Sequence, residues 1–524
     1  MKREIRRIIQ ITSAASLAAG SVIFLQKNDW EVSTVGAVRF GRAALAALSI
    51  AADYKWTLKG LDPNSPDYII TKSQIHHRSA ICLQKMCAKN GGAFVKVGQH
   101  VGSLDYLLPK EYVQTMKIFH SEAPQSDLKD IYKVIEEDFG KKVNEIFASF
   151  DPKPLGAASL AQVHKAVLKD GRVVAVKVQH PKVKAYSAID IKTMELLVHG
   201  ITWIFPGFQY AWLAEETKKN LPVELDFINE GHNCEQASII FQHFDFFKAS
   251  VPKIYWELTS PRVLTMEYCE GGKVDNLKYM QEHGISVNEV SRKLGLLYSE
   301  MIFVQGYVHC DPHPGNILIS QTPQGVQITL LDHGLYQQKL DDDLRIHYSK
   351  MWLAMINADV EGMKRHAEAL NVGHLFGLFA CMLTARSWKA LQAGIGKHEF
   401  TDIEGSEIQT KVSDYLLEIS DILNRVPRQL LLIFKTNDVL RGIEASLHTR
   451  ANATSFINMS RCCIRAVAQD ERRQCEGAVG CVLRTRLREH WQLLRVSVYE
   501  LVMWVVSSSW FRWLGLNRTE VLYS

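Results

Sequence analysis

The sequence predicts an α+β chain in two lobes, a small β-containing lobe followed by a larger helical one, with a helical extension ahead of both. Three observations predict it. Residues 30–150 carry apolar side chains at helical spacing, in Gly36–Ala52 and again in Ser73–Lys89. From Leu155 the period drops to two: SLAQVHKAV and RVVAVKVQ are β-rich runs joined by Lys169-Asp170-Gly171, a tight turn with glycine where positive φ is needed. Beyond Val287 the helical period holds, broken only by a hairpin in which NILIS and VQITLLD flank a glycine-containing turn. Between these blocks, helix signals run from Ser187 to Trp203 and from Ala211 to Phe241, the second interrupted by Pro222. Short strands stand near Lys253–Trp256 and Arg262–Glu267 and end at Gly271-Gly272. The expected segments are 1–29 (targeting or membrane), 30–150 (helical extension), 151–272 (β-containing lobe with an insertion), 273–470 (helical lobe) and 471–524 (an Arg/Trp-rich tail).

At 524 residues the chain is too long for one compact core. With 47% hydrophobic and 22% charged residues it has the composition of a folded globular protein. A net charge of +5, with no basic stripe and no zinc-finger spacing, gives no support to nucleic-acid binding. The ten cysteines include no CxxC and are too sparse for a disulfide scaffold, so free thiols in a reducing compartment are expected. Cys462 and Cys463 are read as two buried thiols on a helix, with a redox-active pair as the alternative. At the N-terminus Lys2, Arg3, Arg6 and Arg7 precede a Ser-dotted apolar run, Ile8–Leu25, with Glu4 the only acid before Asp29. That pattern resembles a mitochondrial presequence, and the run is also about long enough to cross a membrane; a secretory signal peptide shares the charge layout.

The sharpest chemical signal is His309-Cys310-Asp311-Pro312-His313-Pro314-Gly315-Asn316, which sets an Asp and an Asn five residues apart directly before a strand. Phosphoryl transfer asks little covalent chemistry of a protein; it needs a carboxylate to orient the acceptor and hard oxygens for Mg²⁺. Asp311 suits the first role and Asn316 the second. Asp332-His333-Gly334 closes the same hairpin, and a strand-end carboxylate followed by glycine is where a kinase holds its second metal ligand. His333 stands in the place of the usual Phe, which keeps the metal carboxylate and weakens the apolar plug behind it. Upstream, Val174-Ala175-Val176-Lys177 puts a lysine at the end of a buried strand, where it needs an anionic partner. Glu224-Leu225-Asp226-Phe227-Ile228-Asn229-Glu230 offers the candidates. Glu224 and Glu230 fall on different helical faces, so Glu230 is assigned to Lys177 and Glu224 to another cation.

A strand Lys, a helix Glu, a strand ending at Met266-Glu267-Tyr268, HxDxxxxN and DxG follow one another in the order found in protein kinases. Two features depart. No GxGxxG precedes the Lys strand, where Leu155-Gly156-Ala157-Ala158-Ser159-Leu160-Ala161 stands instead, and no Ala-Pro-Glu follows Asp332.

Those departures, with Lys96-Val97-Gly98-Gln99, resemble the UbiB/aarF-domain family of atypical kinase-like proteins, and within it the first of its mitochondrial subtypes. The resemblance spans roughly residues 30–465. It implies a two-lobed protein-kinase-like fold whose extension carries a KxGQ helix across the place where kinases dock peptides. It assigns Asp311 and Lys177 to catalysis. The nucleotide falls to Gly156, Ala157, Ala158, Ser159, Lys177, Glu230, Met266, Glu267 and Tyr268, and Mg²⁺ to Asn316 and Asp332. Lys96, Gln99, Glu224 and Asp226 are regulatory, with Lys96 paired to Glu224. It implies ATP or ADP and Mg²⁺ as cofactors and a lipid-like or small-molecule substrate, and a role in coenzyme Q or membrane-lipid chemistry at the mitochondrial inner membrane. A nucleotide-dependent scaffold recruiting membrane or protease partners is the alternative. The missing activation segment speaks against a conventional Ser/Thr kinase. Four of the 11 tryptophans, Trp491, Trp504, Trp510 and Trp513, stand among arginines near the C-terminus, as in an interfacial helix or a helix packed on the helical lobe.

Overall fold

A computed structural model describes residues 36–62, 65–102, 108–121, 125–181, 183–205, 211–242, 244, 249–393, 415–449 and 453–507. The expected targeting segment 1–29 lies outside them, as do Trp510 and Trp513. The chain forms two compact units: one runs to Ile228 and takes in Tyr255–Met266, the other comprises Asn229–Ile254 and the chain from Glu267 on.

The first unit opens with α1 (Gly36–Thr57), α2 (Pro66–Asn90) and α3 (Ala93–Gly102). α2 starts where the Ser65 hydroxyl accepts the Tyr68 amide and Pro66 fills the first turn, and stops at Gly91. α4 (Leu128–Phe139) follows, with Ile131, Val134 and Ile135 buried on one face. Then come β1 (Phe147–Phe150), β2 (Gly156–Ala157), β3 (Ala161–Leu168) and β4 (Val173–Gln179). The β3–β4 pairing runs from Ala161↔Gln179 to Val167↔Val173, and Gly171 (φ 87°) makes the turn. α5 (Val183–Ile204) and α6 (Ala211–Glu224) complete the helical layer, and α7 (Phe227–Gln242) begins in this unit and continues in the second. Beyond β5 (Ala249–Ser250) of the second unit, β6 (Val263–Glu267) returns to the first sheet, whose order is β1-β3-β4-β6 with β2 beside β3. Two cores result. α4 packs its apolar stripe on Phe147, Val174, Val176, Val178 and Val263 of the sheet. Elsewhere Ala43, Cys87, Phe94, Val95, Phe119, Leu221 and Leu225 bind the helices together.

The second unit holds β7 (Gly272–Lys273), α8 (Val287–Ser299), β8 (Val308–His309), β9 (Ile317–Thr322), β10 (Gly325–Leu330) and β11 (Tyr336–Gln337). Helices follow, among them α9 (Asp342–Ile356), α10 (Arg428–Ser446), α11 (Ala453–Gln474) and α12 (Val479–Ser507). Its sheet runs β5-β10-β9-β7, and β8 pairs with β11. Ile317, Ile319, Val326, Ile328 and Leu330 alternate inward from the β9–β10 hairpin onto Leu294, Leu297 and Met301.

Three local expectations are corrected. Pro222 lies inside α6, and the break falls at Leu225–Asp226, where the Asp226 carboxylate accepts the Ile228 amide and starts α7. Lys253–Trp256 is not a strand; it carries a single bridge at Ile254 before a 3₁₀ turn at Trp256–Leu258. Cys475 and Cys481, expected as free thiols, are disulfide-bonded across the turn between α11 and α12, whereas Cys462 and Cys463 are buried on α11 as read.

Candidate functional site

In the second unit the β9–β10 register sets the acidic end. Ile317 faces Leu330, and the next rung out joins the Leu331 amide to the Asn316 carbonyl at 2.9 Å, so Asn316 and Asp332 emerge at the same end of one hairpin. The Asn316 amide donates to the Asp311 carbonyl at 3.3 Å, which turns its own side-chain oxygen away from that contact. Asp332 accepts the Gly334 amide at 3.0 Å, fixing the carboxylate over the turn. Asn316 and Asp332 are both half-buried, and an amide oxygen with a carboxylate is a donor set that fits Mg²⁺, which takes one or two protein oxygens and fills its octahedron with phosphate and water.

His309 holds this arrangement from behind. Its Nε2 lies 2.6 Å from the Asp332 carbonyl, an atom that can only accept, so Nε2 carries the proton and Nδ1 accepts from the Tyr298 hydroxyl at 3.1 Å. Burial lowers the pKa of this ring, which keeps it neutral and structural. Asp311, one residue past the buried Cys310, receives a charge partner from far along the chain: Lys435 Nζ on α10 lies 3.0 Å from its Oδ1. A lysine with only 10% of its side chain exposed is stable there because the carboxylate answers it.

The segment behind Asp332 differs from expectation. His333 is 1% exposed and its ring is fully engaged: Nε2 donates to the Leu330 carbonyl at 3.1 Å and Nδ1 accepts from Tyr336 at 3.0 Å. The ring also stacks on Tyr336 at 5.7 Å. Its backbone amide donates to Glu230 and its carbonyl accepts from Asn233, both on α7. A polar ring fills the place, with its polar atoms paired.

In the first unit Lys177 sits on β4 opposite Val163, half-buried, its ammonium 5.2 Å from the centre of the Phe227 ring. The Ala-rich loop spans β2 and the turn into β3, with Gly156 and Ala157 paired to Val163 and Gln162. It is tied down twice. Ser159 Oγ donates to Gln99 Oε1 at 3.1 Å, and the Ala158 carbonyl accepts His180 Nε2 at 3.0 Å. Gln99 in turn donates to the Phe119 carbonyl at 2.9 Å. On the same helix Lys96 Nζ lies 2.6 Å from Glu224 Oε2, with 11% and 7% of the two side chains exposed. Gly98 is required where α3 meets Phe119: a Cβ there would stand 2.5 Å from the ring. Met266 is buried at the end of β6, Glu267 is exposed and takes the next backbone bond, to the Lys253 carbonyl, and Tyr268 is half-buried.

Over 515 residues the chain is 50% identical to AarF domain-containing protein kinase 1 of Gallus gallus, covering 97% of this chain and 98% of that one. A profile of the ABC1 atypical kinase-like domain matches residues 118–367. The chain belongs to the ABC1/AarF family of atypical kinase-like proteins. AarF domain-containing protein kinase 1 of Mus musculus is 50% identical over 505 residues (96% of this chain, 95% of that one), and the Drosophila melanogaster AarF domain-containing kinase 1 is 46% identical over 508 (96% and 98%). The α+β, kinase-like fold read from the sequence is that of the ABC1/AarF family. Lys96, Gly98, Gln99 and Lys435 lie outside the matched ABC1 domain, so the helix that clasps the loop and the lysine that faces Asp311 come from the flanks. Lys435 escaped the sequence reading, although the signal was present: a lysine directly after the apolar run Leu430–Phe434, as Lys177 follows Val174–Val176. Tyr298 and Tyr336, which complete the two histidines, carried no motif.

Proposed function

We propose that the protein binds ATP with Mg²⁺ and turns it over slowly, as an ATPase or as a kinase of a lipid-like or small-molecule acceptor at a mitochondrial membrane, in support of membrane-lipid or coenzyme Q handling. The observation that supports this reading most is the convergence of Asp311, Asn316 and Asp332 at one hairpin end, with Lys435 on the Asp311 carboxylate. In this reading Asn316 and Asp332 hold the metal, and Asp311 orients the attacking hydroxyl or water and accepts its proton. Mg²⁺, when bound, supplies charge neutralisation on the phosphate oxygens. In the first unit Lys177 and the loop Gly156–Ser159 are assigned to the phosphates, and Met266, Glu267 and Tyr268 to the base. Slow turnover follows from the loop's two ties, since a phosphate-covering loop held by Gln99 and His180 has less freedom to close and reopen. The cationic, Ser-rich N-terminus is the support for a mitochondrial address.

Titration with Mg-ATP, followed by thermal shift and calorimetry, tests the reading. Wild type gains stability with the logarithm of free ligand once ligand exceeds Kd, and Asp332→Asn loses the Mg²⁺-dependent part. No stabilisation of wild type, or full stabilisation of Asp332→Asn, would sink it. The same ties support a second reading, a scaffold whose shape depends on nucleotide: Asp311→Asn then abolishes hydrolysis and leaves the cellular effect intact.

A further inference from the structure

α12 carries an apolar face that its packing on α11 leaves uncovered. The side it turns to α11 carries its only two acids, Glu489 and Glu500, which pair with Arg472 and, at 2.6 Å, with Arg461. The opposite side is apolar and open. Val479, Leu483, Leu487, Trp491, Leu494, Val498 and Leu501 recur three or four residues apart, each between 51% and 80% exposed. At helical rise this stripe is about 33 Å long. Arg484 and Arg495 are exposed along one edge of it and Arg486 along the other, and no acid stands on that side. A solvated helix places its charges outward and its leucines against the core. α12 keeps its arginines outward but leaves a long apolar stripe in the open between them, a face suited to an apolar partner.

We propose that this stripe docks α12 flat on an anionic phospholipid surface, the seven apolar side chains entering the headgroup boundary and the flanking arginines meeting lipid phosphates. Charge decides between occupants. The spacing from Leu487 to Leu501 also suits a coiled-coil seam, but a second copy would bring arginine-edged stripes together with no glutamate to answer them, and would bury Trp491 at a seam position. A phosphate-rich surface answers both edges at once, and arginines beside an apolar stripe reach it by extending their guanidinium groups while the stems stay on the apolar side. No helix among the described residues is long and apolar enough to cross a bilayer, which fits a helix that lies on the surface. The inference does not depend on nucleotide binding.

The test is co-sedimentation of the full chain with phosphatidylcholine vesicles and with vesicles containing about one third phosphatidylglycerol. Wild type favours the anionic vesicles. Leu487→Ser/Trp491→Ser/Leu494→Ser, all at exposed positions, weakens binding at least about tenfold, and Arg484→Glu/Arg495→Glu removes the preference for anionic lipid. The proposal is overturned if the triple variant binds vesicles like wild type, or if lipid-free sedimentation velocity shows a wild-type dimer that the triple variant dissociates. Far-UV circular dichroism and the thermal unfolding midpoint, unchanged in both variants, serve as the folding controls, so the test stands whether or not the chain binds nucleotide.

Discussion

Replacing Lys96 by Met removes one half of a buried ion pair and leaves the other half in place. The pair is short, 2.6 Å from Lys96 Nζ to Glu224 Oε2, and both side chains are nearly closed to solvent. Removing the cation leaves the Glu224 carboxylate without its countercharge, a change that costs about 3–5 kcal/mol at buried sites. Because α3 is held there and by Gln99, much of that cost falls on the local opening of the helix. At 1.36 kcal/mol per tenfold, about 3 kcal/mol corresponds to amide exchange roughly 150-fold faster. Hydrogen–deuterium exchange read on peptides covering Ala93–Gly102 measures this directly. Adding Glu224→Gln to Lys96→Met removes the stranded charge and returns exchange most of the way to wild type, because two neutral groups in that pocket lack the penalty of one unpaired ion. If Lys96→Met changes exchange of α3 less than threefold, or the double variant shows the sum of the two single effects, the pair is not what fastens α3.

Two further outcomes are expected. Lys435→Met takes the cation from Asp311 and lowers ATP turnover by about tenfold or more while Mg-ATP affinity holds, whereas Lys435→Arg keeps the charge and most of the rate; steady-state hydrolysis paired with calorimetry reads both, and a loss of affinity equal to the loss of rate would contradict a role through Asp311. Acid weakens the fold through a half-buried histidine: desolvation lowers His76 to about 4, so its stabilising contribution is complete above the unfolded value near 6.5 and drains away as pH falls from there toward 4, at up to about 1.4 kcal/mol per pH unit. Chemical unfolding between pH 7 and 4.5 should therefore show a shallower loss for His76→Gln than for wild type, and equal slopes would refute the assignment.

The fold was legible where periodicity is clean. β3 and β4 sit where the alternation and the Lys169-Asp170-Gly171 turn put them, and β9 and β10 follow from NILIS and VQITLL. What misled was local chemistry read without its context. Proline at 222 suggested a break, yet α6 continues through it because Leu221 and Leu225 anchor that turn in the helical core; the capping Asp226, two residues past the last turn, makes the boundary. The β-like run at Lys253–Trp256 pairs its backbone ends with Thr265 and Glu267 but curls into a 3₁₀ turn before a ladder forms. Cys475 and Cys481 stand six residues apart with Gly477 and Gly480 between them, and the bond depends on how that turn closes, which spacing alone does not state. The candidate site was legible in its motifs, because HxDxxxxN and DxG bind their own backbone neighbours. It was illegible in Lys435, whose partner is 124 residues away.

His333 shows why a missing motif residue is weak ground for declaring a kinase-like site dead. A phenylalanine in that place contributes apolar volume alone. An imidazole brings similar shape with two polar atoms, each costly if buried unpaired. Here one nitrogen meets a carbonyl three residues back in the same strand end, and the other meets Tyr336, two residues past Gly334, so the chain supplies both partners from the same short segment. Tyr336 then stacks on Tyr307 and stands edge-on to His309, which holds the carbonyl of Asp332. The substitution is thus carried by a connected set of rings whose far end holds the backbone carbonyl of Asp332, the residue of the proposed metal carboxylate. Phe in place of His333 would leave the Tyr336 hydroxyl without that acceptor, so at this position the sequence that departs from the kinase pattern is the self-consistent one.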